Sequence, residues 1–394
     1  MNRFPALDGF RGLAILAVLA NHLGLYRAPD AWWLYPLHWF SKIGWTGVDL
    51  FFVLSGFLIT GILLKTKTSP SYFKDFYLRR VLRIFPLFYL LLVITMVVVP
   101  LTVPEQWPAL WVGTRGNWPH WLFLSNVGVL MTSSFRISFI PALAPLWSLS
   151  VEEQFYLAWP LIVRFVSLTV LIRIIVLVFV GTAVTRWVFL TDPVWGQMIY
   201  NGGIVVFMPC RLDGLCAGSL LRIFYDTDPA RVRAFARSWW IWLLALAAVM
   251  AIDRFFWPAY YHVYGPAMLR FGYSFMALLF ASLVAQGLTI DGLTRRIFES
   301  PIRWLGPLSF SMYLFHLPIA AALIWVFPAA QSLDALSLFA VDLVLVIAFA
   351  AATLPMENYF RSLGRRPTSA LLTAPGSTTE PTLPATTASA ERRQ

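Results

Sequence analysis

The sequence predicts an all-α fold: a polytopic bundle of about ten transmembrane helices, with both termini cytoplasmic. Three observations carry this reading. Of 394 residues, 59% are hydrophobic and only 12% charged, against roughly 25% charged in a soluble domain. Apolar stretches close to the ~20 residues that cross the hydrocarbon recur along the chain. The basic residues are shared unevenly between the gaps that separate them.

The expected spans are approximately 9–26, 44–64, 84–103, 147–165, 168–190, 200–221, 238–256, 269–289, 303–326 and 336–356. They are uniformly apolar rather than alternating, so helices are expected and barrel strands are not. Residues 12–20 also read as a signal-peptide core ending at Val18-Leu19-Ala20. Asp8 and Arg11 intrude on its polar side, so it is taken as the first span.

With the N-terminus inside, the clusters Lys65–Arg83, Arg222–Arg237, Arg295–Arg303 and Arg361–Arg366 all fall on the cytoplasmic side. The outer side keeps Arg27, Lys42, Arg115, Arg136, Arg186, Arg254 and Arg270. That bias sets the orientation. It also explains the net charge of +11 without nucleic acid, for which a concentrated basic surface would be needed. The 18 Trp and 14 Tyr suit rings held at the membrane interfaces and contact with lipid. Cys210 and Cys216 share one apolar segment and give neither a disulfide framework nor a metal motif.

One outer connection is long, about 104–146, and rich in proline. Its apolar piece Trp121–Leu130 is too short to span and reads as re-entrant or interfacial. A membrane domain over 1–360 is followed by a tail, 361–394. From about 367 this tail is rich in Thr, Ser, Pro and Ala and is expected to be disordered.

Ionisable groups inside spans are costly and point to function. Arg11 and His22 are eleven residues apart, three helical turns to within about 20°. They share a face of the first helix, about 16 Å apart along its axis. Arg11 falls toward the cytoplasmic end and His22 in the outer half. Asp49 starts the second span at the depth of His22, where a carboxylate can orient an imidazole. The Gly and Ser residues of that span equally suit close helix packing without chemistry.

Arg80 and Arg83 lie one turn apart at the inner boundary of the third span, placed to clamp phosphates or simply to anchor the helix. Glu152 and Glu153 are adjacent near the outer part of the fourth span. At about 100° per residue, at most one points squarely into a shared cavity. Arg211 and Asp213 are expected to pair within the bundle. Tyr313 and His316 either line the same cavity or belong to the core.

Five stretches, in order, carry a family resemblance: LDGFRGLAILAVLANH (7–22), GVDLFFVLSGFLITG (47–61), RRVLRIFPLFY (79–89), LWSLSVEEQFYLAWP (146–160) and SFSMYLFHLP (309–318). Together they resemble the acyltransferase-3 family of membrane acyltransferases, across about residues 5–360. The resemblance implies transfer of an acyl group, most often acetyl from acetyl-CoA, to a hydroxyl of a carbohydrate or natural product. The family's Arg-x10-His falls on Arg11 and His22, with the histidine essential. Its Arg-x-x-Arg falls on Arg80 and Arg83 and is associated with the coenzyme. Its Trp-Ser-Leu-x-x-Glu falls on Trp147, Ser148, Leu149 and Glu152, which prefers Glu152 over Glu153. Some relatives carry a fused extracytoplasmic esterase-like domain, for which the 367–394 tail is too short.

Residues and resemblance lead to one expectation: a plasma-membrane acyltransferase with acyl-CoA as co-substrate and neither a resident cofactor nor a metal. His22 is the base, Asp49 or Glu152 orients it, and Arg11, Arg80 and Arg83 hold the coenzyme. Its rivals are a glycan transporter or flippase, which consumes no thioester, and a structural partner in an envelope complex, whose membrane charges are individually replaceable.

Overall fold

The structure, a computed structural model, describes residues 4–23, 25, 32–102, 118–132, 141–191, 203–258, 265–289 and 301–364. Among these residues all regular structure is helical. Helix α1 is Pro5–His22, with proline in the first turn, where its missing N–H leaves nothing unpaired. A short α2 (Tyr35–Ile43) leads to α3 (Gly47–Thr66). Helix α4 (Tyr72–Val93) continues through a π-helical turn, Ile94–Val98, to Thr102. Then come the short α5 (Ser125–Thr132), followed by α6 (Leu146–Phe165) and α7 (Leu168–Thr191). Helices α8 (Leu212–Thr227), α9 (Pro229–Arg237), α10 (Trp239–Phe256) and α11 (Tyr273–Thr289) follow. The last two are α12 (Ser309–Val326) and α13 (Ala335–Leu363). The Asp334 side chain caps α13 by accepting from the Leu336 and Ser337 amides, both at 3.0 Å.

Among the described residues, 7 helical segments are long and apolar enough to cross a membrane: Trp32–Thr66, Tyr72–Thr102, Leu168–Thr191, Trp239–Phe256, Met268–Thr289, Ser309–Val326 and Ala335–Leu363. Helices α1, α6 and α8 are more polar. They carry Asp8 and Arg11, Glu152 and Glu153, and Asp213 and Arg222. Large apolar side chains face outward elsewhere: Leu177 on α7 is 73% exposed, Phe255 on α10 79% and Val344 on α13 65%. A surface of this kind is matched by lipid, and the protein is a multi-pass membrane protein.

Two expected spans move. The third, expected at 84–103, begins its helix at Tyr72. Arg79, Arg80 and Arg83 therefore lie within a helix wall rather than at its mouth, because aromatic and apolar residues before and after them, Tyr72, Phe76 and Ile84, supply a buried face. The sixth, expected at 200–221, is broken. A short turn at Met208–Cys210 holds Pro209, and the regular helix runs only from Leu212 to Thr227. Proline lacks the amide that would continue the helical ladder. Beyond Gly364 the tail lies outside the described residues.

The apolar piece Trp121–Leu130 lies between α4 and α6. It turns sharply at Phe123 (φ 54°), a left-handed conformation rare for an aromatic residue. The Phe123 ring stacks on Phe88 at 4.1 Å, and its carbonyl accepts from Gln154 Nε2 at 3.1 Å. Helix α5 then folds onto α6 through Asn126 and Gln154, whose amides bond reciprocally at 2.9 and 3.1 Å.

Helices α3 and α8 pack backbone to backbone. Gly56 meets the Leu215 carbonyl and Gly218 meets the Val53 carbonyl, so a Cβ at either position would clash with backbone. Small residues permit this approach. Its flank is pinned by Trp159 Nε1 donating to Thr60 Oγ1 (2.9 Å) and Thr60 donating to Ser219 Oγ (2.8 Å).

The charges of α8 pair differently from expectation. Arg211 bonds Asp49 of α3 at 2.7 Å, while Asp213 bonds Arg186 of α7 at 2.9 Å. Arg211 stands in the non-helical turn that caps α8 and Asp213 in its first helical turn, so the two face different neighbours.

Candidate active site

Helices α1, α3, α4, α6, α12 and α13 line two confluent cavities. The wider, about 970 Å³, is lined by Asp8, Arg11, Arg79, Arg80, Arg83, Asn358 and Arg361 among others. The narrower, about 90 Å³, is lined by Arg11, Arg80 and Arg83 together with Ser55, Ser148, Glu152, Tyr156, Phe310 and Tyr313. Arg11, Arg80, Arg83, Leu58, Ser309 and Phe310 line both and form the neck.

The neck is basic for local reasons. Arg11 stands one turn after Asp8 on α1, with Nη1 3.9 Å from the carboxylate. Arg80 lies over the rings of Tyr156 (5.5 Å) and Phe76 (5.7 Å), which hold a flat cation against α6. Arg361 pairs with Glu357 one turn before it. Five arginines around one chamber make its wall predominantly positive, and planar guanidinium groups have a geometry that suits phosphate oxygens.

Glu152 faces the narrow cavity. It accepts from Ser55 Oγ at 2.7 Å and from the Tyr156 hydroxyl at 3.0 Å. Glu153 is not among the lining residues, and its buried Oε1 has no hydrogen-bond partner. Tyr313 closes the far end. Its hydroxyl donates to the Pro145 carbonyl at 2.9 Å and lies 2.6 Å from Ser148 Oγ.

His22, the last residue of α1, is half-buried, and neither it nor His316 is among the residues that line the two cavities. Its Nδ1 is 3.0 Å from His316 Nε2. The Tyr313 ring, which does line the narrow cavity, lies 5.9 Å from that of His316. The expected carboxylate partners of His22 are elsewhere. Asp49 is taken by Arg211 because its face of α3 packs on α8, and Glu152 is taken by Ser55 and Tyr156. The structure thus gathers Arg11, Arg80, Arg83, Glu152 and Tyr313 at the cavities, pairs His22 with His316, and sets Asp49 and Glu153 apart.

Several lining residues escaped the sequence reading. Tyr156 is one turn after Glu152, so helical phase alone would have found it. Arg79 and Arg361 carried no signal beyond charge at an inner boundary. Ser55 carried none, since a serine in an apolar span equally marks close packing.

A family model described as an acyltransferase domain matches residues 4–355. The chain belongs to the acyltransferase-3 family. The matched region takes in every residue named above as lining the two cavities except Asn358 and Arg361. The chain is similar to a peptidoglycan O-acetyltransferase of Listeria monocytogenes, 30% identical over 342 residues, covering 80% of this chain and 49% of that protein. A putative peptidoglycan O-acetyltransferase of Bacillus subtilis is 28% identical over 346 residues, covering 80% of this chain and 48% of its own. A putative O-acetyltransferase of Staphylococcus aureus is 26% identical over 351 residues, with 81% and 51% covered. The chain thus spans about half the length of these relatives. No solved structure matches it.

Proposed function

We propose that this protein is a plasma-membrane O-acyltransferase that moves an acyl group, acetyl first among them, from acyl-CoA to a hydroxyl of a cell-envelope carbohydrate. The observation that carries the reading is the wide arginine-lined chamber narrowing through Arg11, Arg80 and Arg83. A coenzyme with a bulky phosphorylated head and a thin thioester arm has that profile. The head docks on the arginines and the arm enters the narrow cavity toward Tyr313. Peptidoglycan, named for two of the relatives, is the first acceptor to test.

In this reading the neutral imidazole of His22 takes the proton of the acceptor hydroxyl. The oxygen attacks the thioester carbonyl, the carbon–sulfur bond breaks, and the thiolate leaves with a proton. Glu152 offsets the arginine charge at the neck, held in place by Ser55 and Tyr156. Asp49 serves the bundle through Arg211.

Two measurements test the reading. Purified protein in lipid nanodiscs, given acetyl-CoA and a soluble peptidoglycan fragment, is expected to release free thiol, whereas a pure transporter releases none. Mass spectrometry of envelope glycans from a deletion strain is expected to show a lost acyl mass. Unchanged glycans across the envelope would exclude the function.

Arg83→Ala is expected to raise the coenzyme KM about tenfold or more. A lost charge-assisted hydrogen bond is worth about 1.5–3 kcal/mol. The acceptor KM should stay within about twofold, since a difference that small is under ~0.5 kcal/mol. Equal effects on both substrates would return Arg83 to membrane anchoring.

A further inference from the structure

His22 and His316 come from opposite ends of the chain, and their contact fixes a proton. The two facing nitrogens are 3.0 Å apart, while the ring centroids are 5.1 Å apart and the planes 21° from parallel. Nitrogens that close on rings that far apart meet edge to edge, as in an N–H···N bond.

The direction of that bond follows from the second contact of His316. Its Nδ1 lies 2.8 Å from the carbonyl oxygen of Tyr313, one turn earlier on α12. A carbonyl oxygen only accepts, so His316 Nδ1 carries the hydrogen. A neutral imidazole has a single N–H, which makes His316 Nε2 the acceptor. His22 Nδ1 must then donate, and the lone pair of His22 sits on Nε2. A doubly protonated His316 would reverse this order. It would be a fully buried cation, and the ring contacts above include no carboxylate to compensate it.

We infer that His316 is a positioning residue that locks His22 in its Nδ1–H tautomer and leaves Nε2 as the nitrogen that takes the acceptor's proton. The inference deepens the proposed function and rests on His22 being its base. It replaces the carboxylate expected from the sequence. In a Ser-His-Asp triad the partner on Nδ1 holds the tautomer; here an imidazole nitrogen, itself anchored to the backbone, does so. The anchor is stiff, because the Tyr313 hydroxyl is tied to Pro145 and Ser148 at the start of α6. When His22 accepts a proton, its Nδ1–H remains satisfied.

The test uses two amides of different reach. A glutamine side chain can place its oxygen where His316 Nε2 stands, whereas an asparagine amide reaches only the position of Nδ1. The full chain in lipid bilayers, with ¹⁵N-histidine, has five histidines, and His22→Gln assigns the resonance of His22. Wild type is expected to show His22 as the Nδ1–H tautomer, His316→Gln to keep it, and His316→Asn to lose it.

In a deletion strain complemented with each variant at equal membrane level, His316→Gln is expected to retain most glycan acylation. His316→Asn should lose about tenfold or more, as expected for a base held in the wrong tautomer. An Nε2–H tautomer at His22 in wild type, or full acylation by His316→Asn, overturns the inference. Retained acylation by His22→Ala removes His22 as the base, and with it the premise of this inference, while leaving the acyl-transfer function standing; unchanged glycans in the deletion strain itself overturn that function. Thermal unfolding of each purified variant separates either result from a folding defect.

Discussion

His22→Ala is expected to abolish acyl transfer while leaving the protein inserted and folded. Removing a positioned general base costs about 10²–10⁴ in rate. The fold should tolerate the change because of where His22 sits. It is the last residue of α1 and half-buried, whereas the helix is held by Phe10, Ala14, Ile15, Val18 and Leu19, all at or below 1% exposure. Among the described residues, the one side-chain hydrogen bond lost is that to His316. Glycan acylation in a complemented deletion strain, read beside detergent-solubilised size-exclusion profiles, checks both halves. Retained acylation removes His22 from the chemistry.

Arg186→Met is expected to be among the most damaging single changes to stability. Arg186 is fully buried and donates to Asp213 (2.9 Å), to the Cys210 carbonyl (2.7 Å) and to Ser274 Oγ (2.7 Å). It therefore joins α7, the broken turn before α8, and α11. Methionine fills much of the volume but leaves the Asp213 carboxylate buried without its cation. Breaking such a pair from one side costs about 3–5 kcal/mol, a large part of a typical folding free energy of about 5–15 kcal/mol. The double variant Arg186→Met with Asp213→Asn leaves no orphan charge and should recover part of the loss. Thermal melts of purified protein would show this as a sharp fall for the single variant and a partial return for the double. Equal melts for all three would mean that the network is not holding these helices.

These expectations divide by how local their causes are. The face shared by Arg11 and His22 was legible because eleven residues of regular helix carry phase reliably. The preference for Glu152 over Glu153 came from the family motif, and the structure places Glu152 on the narrow cavity. The pairing of Arg211 with Asp213 misled, because the backbone changes from an irregular turn at Arg211 to helix at Leu212 and turns the two side chains to different neighbours. The carboxylate sought for His22 misled for a related reason. Asp49 shares its depth, but depth does not say toward which neighbour a side chain turns. The break at Met208–Cys210 was hidden by composition, since an apolar run reads as a span whether or not proline interrupts its ladder.

By itself the sequence determined a helical membrane protein, its arginine and histidine motifs and the family to which they belong. Hydropathy, helical phase and motif order are properties of the chain alone. Only the tertiary structure decided that five arginines ring one chamber, that Asp49 belongs to Arg211, and that His22 meets His316 across 294 positions. Helix contacts in a lipid-bathed bundle turn on which small residues allow two backbones to approach, as Gly56 and Gly218 do for α3 and α8. That choice is made between helices, and no single segment records it.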